Sequence, residues 1–368
     1  MASLASMPPE LLLLIADALS PKDAYCFAAT DRLTWRTCAS LVATHKELAE
    51  NYGFICPEGS NFTLWRLLDE LLTTPRVADY VLELQLDMPQ MFYFDPRYIW
   101  YSAGTPSLKP ALEDVDKYLT AANDVEFLFS TASERGSIQR DREFTPEDLR
   151  RSIEEGCTDP IAIIVLSRLH ALNNLRLVPC NHEFWFLRGL QGLAAAYVHS
   201  TFSSISHGPF ENLKKVQLSH DDTESSIRWE WAVLFTRLPN LEYFSAHMLG
   251  GSPRPPSEEA GGLYEALESW KPAKSPTSNL KTLLLSYAMV SFEVVDMILS
   301  NCKALETFEY HVGGALISWD AEYDPRGFMY SLIKYCSHSL RRLVLENEDE
   351  CESVSLYTTK FTSSLIKP

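Results

Sequence analysis

Apolar and polar positions follow two different periods along this chain, and the change from one to the other separates a short helical head from a longer body. In the head, Leu11, Leu12, Ile15 and Leu19 fall at helical spacing and draw one apolar stripe. Pro8-Pro9-Glu10 opens that helix. Ser20-Pro21-Lys22-Asp23 opens a second one, with Ser20 as cap, Pro21 where its missing N–H costs nothing, and Asp23 at the positive end of the dipole. A third helix is predicted from about Leu33 through His45 to Tyr52, before the turn-rich break Cys56-Pro57-Glu58-Gly59-Ser60. The first helix is too short to be stable alone, so its stripe has to be covered by something. Residues 1–55 form this head and residues 56–368 the body.

The body starts with an amphipathic helix over Phe62 to Leu72, a short turn opened by Thr74-Pro75, and a period-two run from Val81 to Leu86. That helix-then-strand unit recurs. Its strand carries the pattern apolar-x-x-apolar-x-apolar, clearly at Leu172 to Leu177, Leu213 to Leu218, Leu280 to Leu285 and Leu340 to Leu345. Looser copies begin at Val81, Val125, Leu241 and Leu305. A strand sends alternate side chains to one face, so the last two apolar positions point inward together while the first anchors the approach. One such unit cannot bury its own core, and stacking on neighbours supplies the missing surface. The copies are roughly 25 to 47 residues apart, wider than a regular leucine-rich repeat. The predicted fold is therefore α/β, a helical head followed by an irregular leucine-rich-repeat solenoid. An ordinary α/β domain also shows short apolar runs after helices, but eight matches to one template favour the stacked array. The extra length lies in inserts rich in breakers, around Gly250 to Pro256, Gly261-Gly262, Lys271 to Pro276 and Thr131 to Glu143, the last followed by a capped helix at Thr145-Pro146-Glu147-Asp148.

Charge and cysteine usage narrow the function classes. With 32 basic and 49 acidic residues the net charge is −17, which repels phosphate backbones and argues against nucleic acid as a partner. The eight cysteines stand singly, without a CxxC pair, as expected for free thiols in a reducing cytoplasmic or nuclear compartment. The run Leu11 to Ile15 lacks a preceding basic region and is broken by Asp17, so neither a signal sequence nor a membrane span is expected. In that setting Asn61-Phe62-Thr63 reads as a helix-entry turn rather than a glycosylation site. After Leu345 the chain is acidic from Glu346 to Glu352, and Ser353 to Pro368 either folds over the last repeat or belongs to a longer protein.

No phosphate-cradling glycine loop, GxSxG elbow, HExxH or GxGxxG occurs, so no enzymatic activity and no cofactor is expected. Cys180-Asn181-His182 and Cys336-Ser337-His338 each bring two metal-ligand types together but lack the remaining ligands of a structural zinc site, so no metal is expected. Asp114 with Asp116, and Asp221 with Asp222, read as solvated surface rather than acid-base pairs. His170, His247 and His311 read as packing histidines beside strands. Trp185, Trp229, Trp231 and Trp319 are either core filling or binding anchors, and if 229–231 is extended at most one of its two tryptophans faces the core.

The Pro-x-Glu-Leu-Leu helix start, the capped second helix and the LxxLxL units together resemble fungal F-box proteins with leucine-rich repeats. Pro8, Glu10 and Leu11 match the F-box opening, Met7 stands where its first leucine would be, and Ile15, Leu19, Pro21, Asp23, Trp35 and Arg36 fall in corresponding positions, whereas Ala24 replaces a usual leucine. Leu67 to Leu86 is similar to the first repeat of such proteins, and Asn301 to Leu305 and Tyr335 to Leu340 resemble their cysteine-bearing repeat. The resemblance implies a non-catalytic adaptor whose head docks on the Skp adaptor protein of a cullin-RING ubiquitin ligase while the repeats hold a target protein. Pro8, Pro9, Leu11, Leu12, Ile15 and Leu19 would supply the adaptor contact, as an amphipathic helix set into a groove. The residues that bind the target stay unassigned. Two alternatives share the pattern: a repeat scaffold not engaged with a ligase, and a head helix folded back as a cap on the repeats.

Overall fold

Each copy of the template within the described residues forms a strand, and all named strand pairs are parallel. The computed structural model describes residues 7–56, 62–87, 110–123, 146–179, 185–198, 209–220, 226–253, 276–313 and 323–347. The copy beginning at Val125, Trp319, Cys180 with His182, Asp221 with Asp222, and the tail from 348 lie outside them. So do most of the inserts.

The main sheet runs β1 (Phe54–Ile55), β2 (Glu83–Asp87), β3 (Asn174–Val178), β4 (Lys215–Leu218), then β6 (Tyr243–His247), β8 (Thr282–Val290), β9 (Thr307–Val312) and β10 (Arg342–Asn347), each paired to the next. Spatial order thus follows chain order. β1 already belongs to the sheet, so the sheet begins inside the segment assigned to the head.

The strand faces sort as the alternation predicts. Leu84 and Leu86, Leu175 and Leu177, Val216 and Leu218, Phe244 and Ala246, Leu283 and Leu285, and Phe308 and Tyr310 are all buried. The first template position is buried as well at Val81, Leu172, Leu213, Leu241, Leu280 and Leu305, and half-buried at Leu340. Helices cover this inner face in sequence: α4 (Phe62–Thr73), α7 (Thr158–Arg168), α8 (Trp185–Val198), α9 (Trp229–Phe235), α10 (Phe292–Ser300) and α11 (Pro325–Cys336), each packing on the next. α5 (Leu112–Asn123) and α6 (Pro146–Glu154) lie to the side of α7. One continuous apolar core results. The architecture is α/β with a mostly parallel sheet.

A backbone link repeats at every junction. The carbonyl of the residue just before one strand accepts two successive N–H groups of the next strand's start. Gly53 serves Leu82 and Glu83, Leu82 serves Asn173 and Asn174, and Asn173 serves Lys214 and Lys215. Lys214, Glu242, Lys281 and Glu306 continue the series to Arg341 and Arg342, all at 2.8–3.3 Å. A carbonyl oxygen has two lone pairs, so each link satisfies two backbone donors with one acceptor.

Two strands bend out of the main sheet. Met248 after β6 and Tyr287 within β8 take positive φ of 64° and 50°. Beyond these bends β7 (Leu249–Gly251) pairs with β5 (Ile227–Arg228) on one side and with the far end of β8 on the other. On the other side of β8, Ala288 is in register with Val312 of β9, and a side chain completes the closure. The Tyr310 hydroxyl donates to the Ala288 carbonyl at 3.0 Å and accepts from the Val290 N–H at 3.1 Å. Gly251, at φ 110°, lies where a Cβ would come within 2.9 Å of the Trp229 ring. The 229–235 segment is a helix, and both Trp229 and Trp231 are buried, correcting the extended reading.

The head comprises α1 (Pro9–Ala18), α2 (Pro21–Ala28) and α3 (Arg32–Tyr52). Ser20 caps α2 as predicted, its Oγ accepting from the Asp23 N–H at 3.2 Å. Asp31 caps α3 by accepting from the N–H groups of Leu33 at 2.7 Å and Thr34 at 3.0 Å. The head's interior is a separate small cluster of Ala16, Ala28 and Cys38 with Phe27, Leu41 and Val42 packed on it.

Candidate functional site

Two surfaces stand out, one on each part of the chain. On the head, small residues form the inner seam and bulky ones are left outside. Leu12 and Ala16, one turn apart, point inward, and Cys38 Sγ lies 3.9 Å from the Leu12 carbonyl oxygen. Leu11, Leu14 and Ile15 occupy the opposite side of α1 at i, i+3 and i+4 spacing. Leu14 is 65% exposed and Leu11 44%. Tyr25 on α2 and Trp35 on α3 are also exposed, at 56% and 41%, with their rings edge-to-face at 5.9 Å. Of the residues expected to contact an adaptor, Pro8, Pro9, Leu11 and Ile15 are at the surface, Leu19 is half-buried and Leu12 is inside the head. Leu14, Tyr25 and Trp35 complete this surface. The helix is not laid against the described body residues by its Leu11–Leu14–Ile15 side, so that side is open.

The head meets the body through a polar joint. Arg76, in the 3₁₀ turn Pro75–Asp79, pairs with the Asp17 carboxylate and donates to the Asp17 carbonyl at 3.0 Å. Its Nη2 also lies 3.2 Å from His45 Nε2, while His45 Nδ1 bonds the Tyr80 hydroxyl. A guanidinium only donates, so Nε2 is the acceptor and Nδ1 carries the proton. Burial, and then the Arg76 charge, hold the His45 pKa below its ordinary value. This imidazole is built to stay neutral.

On the body, the sheet's outer face is free of covering elements among the described residues. A hollow of about 490 Å³ lies on it, lined among others by Gln85, Arg176, Lys215, Gln217, Ser245, His247 and Ser286. Register places Gln85, Arg176, Gln217 and Ser245 side by side on one rung across β2, β3, β4 and β6. These are the residues between the last two apolar positions of each template copy. Lys215, one rung away, has its ammonium 4.9 Å from the Tyr243 ring centroid. At the hollow's edge the Tyr287 ring, 45% exposed, stands edge-on to His247 at 5.1 Å. Gly313 makes room for it, since a Cβ there would come within 3.3 Å of the Tyr287 ring.

His170, His247 and His311 are half-buried beside the strands rather than in the core. His247 and His311 point from the outer face, bonded to Ser286 at 3.2 Å and Glu346 at 3.1 Å, and half-buried His170 bonds Asp79 at 2.6 Å. Asp116 is exposed and pairs with Arg150 at 2.6 Å, as surface chemistry requires. Trp185 is buried, and Asp159 accepts from its N–H at 2.6 Å and from that of Phe186 at 3.0 Å, capping α8. Burial pushes the thiols of Cys157 and Cys336 up to about 12, so neither is a nucleophile near neutral pH. Cys336 is buried, while His338 reaches the Lys303 carbonyl at 3.0 Å. Among the described residues no group of three or more His, Cys, Asp or Glu is placed to hold a metal ion, and no helix is long and apolar enough to cross a membrane.

In comparison with known proteins, no family model and no curated sequence matches this chain.

Proposed function

We propose that this chain is a non-catalytic, substrate-recruiting adaptor of F-box type, whose head docks on the Skp adaptor of a cullin-RING ubiquitin ligase. Its body is a leucine-rich-repeat solenoid that holds a target protein. The observation that carries the reading is the exposed apolar surface of the head: Leu11, Leu14, Ile15, Tyr25 and Trp35 stay in water although the chain has a large core elsewhere. Surfaces of this kind on a soluble domain mark protein docking sites. The amphipathic helix start around Pro8 and Pro9, with the motif likeness quoted above, supports a Skp-type adaptor as the partner. The solenoid reading is supported by strand order that follows chain order and by the carbonyl link that recurs at each junction.

Docking anchors are worth about 2 kcal/mol or more each, roughly a thirtyfold loss of affinity when one is removed. The full chain should therefore co-purify with a Skp-type adaptor, and Leu14→Asp/Ile15→Asp should abolish this at unchanged melting temperature. A well-folded chain that never binds the adaptor leaves a free-standing repeat scaffold as the reading. Leu12→Asp would not serve this test, because that side chain is inside the head.

A further inference from the structure

We infer that the outer rung Gln85, Arg176, Gln217 and Ser245, with Lys215 beside it and Tyr287 at its edge, captures an extended acidic segment of a partner protein. This rests on the reading of the body as the target-holding part and names the chemistry of the target.

The first argument is charge. The chain carries a net −17, yet no Asp or Glu is among the residues lining the hollow. Among the described residues of this face, Glu309 pairs with Arg342 at 2.9 Å and Glu346 with His311 at 3.1 Å, while Glu83 accepts from the Asn174 amide at 3.0 Å. Among the described residues Arg176 makes no ion pair, and Lys215 has its ammonium over the Tyr243 ring with no acid paired to it. The unmatched charge of the hollow is positive.

The second argument is geometry. The backbones of β3, β4 and β6 are paired on both sides, so a ligand cannot add as a strand there and must be read by side chains. Lys215 is in register with Asn174, two residues before Arg176, which sets the Cα atoms of the two basic residues about 8 Å apart by strand spacings. An extended peptide repeats a side chain on one face about every 7 Å. Carboxylates at alternate positions therefore match the backbone spacing of Arg176 and Lys215, whose long side chains can close on them, while the amides and the Ser245 hydroxyl supply further donors. Tyr287, held at positive φ with its ring partly exposed, offers the aromatic anchor such interfaces use.

The test is fluorescence anisotropy of the full chain with a fluorescein-labelled twelve-residue peptide of alternating Glu and Thr. The net charge of −17 disfavours non-specific binding of such a peptide, so binding that weakens with salt is informative. Affinity should drop roughly tenfold or more in Arg176→Glu/Lys215→Glu and also in the milder Arg176→Gln/Lys215→Gln, and stay unchanged in Arg326→Glu/Arg341→Glu. No binding by the wild type, or equal affinity in both Arg176/Lys215 variants, or an equal loss in the Arg326/Arg341 control, overturns the inference. Leu14→Asp/Ile15→Asp should bind the peptide normally, so failure at the head and failure at the sheet face are read separately.

Discussion

Replacing Tyr310 with Phe removes one oxygen and nothing else from the core, and the structure sets what that oxygen holds. The ring keeps its neighbours, Phe328 at 4.9 Å and Tyr323 at 5.7 Å between centroids, so no cavity opens. What is lost is the donor to the Ala288 carbonyl and the acceptor for the Val290 N–H, both at the far end of β8 beyond its bend. Tyr310, Ala288 and Val290 are fully buried, so water does not replace the hydroxyl. An unsatisfied buried backbone group costs about 1–3 kcal/mol, and the two together are expected to cost about 2–4 kcal/mol. Urea denaturation should show a loss of that size, and hydrogen exchange should show the Val290 amide losing protection before the rest of β8. Tyr330→Phe, at a side chain 63% exposed, should stay within about 0.5 kcal/mol of wild type. A Tyr310→Phe protein as stable as wild type, with the Val290 amide still protected, would refute the hydroxyl as the closure of this end of β8.

Three further outcomes follow from the same geometry. His45 has a depressed pKa in the folded chain, so the folded state binds fewer protons and its stability is full above the ordinary value of 6.5 and lost as pH falls below it; melting temperatures at about pH 7.5 and 5.5 should diverge, and less so in His45→Gln. Asp159→Ala strips the cap from α8 at a buried site and should cost about 2 kcal/mol in denaturant titrations, against near-neutral Asp116→Ala at the surface. Gly251→Ala forces a Cβ against Trp229 at positive φ and should lower stability by about 1–3 kcal/mol in the same titration.

The strands were legible because burial and period agree: Leu175 and Leu177 are both inside and Arg176 between them outside, as the template requires. The carbonyl link between units was not, since backbone atoms carry it and any residue type can stand at Leu82, Asn173 or Lys214. β8 reads as one strand from Thr282 to Val290, and nothing in Ser286-Tyr287-Ala288 announces the bend, because a positive φ at tyrosine has no sequence signature. The helix at Trp229–Phe235 escaped detection for a related reason: every one of its residues is buried, so it has no polar face to set a period. On the head, the stripe Leu11–Leu12–Ile15–Leu19 marked the right helix but not which side turns inward. That is decided by Ala16, Ala28 and Cys38, whose small side chains let the helices approach and leave Leu14 and Trp35 outside. The outer rung was present in the sequence as the residue between the paired leucines, a position whose meaning comes only from the register of strands distant in the chain.

The central claim is that the head's exposed apolar surface is a docking site for a Skp-type adaptor. Hydrogen exchange of the full chain, alone and with that adaptor in excess, tests it most directly. The account predicts added protection over residues 8–36 in the complex, with β3, β4 and β6 unchanged. Unchanged exchange throughout the head, or protection confined to the sheet, would contradict it.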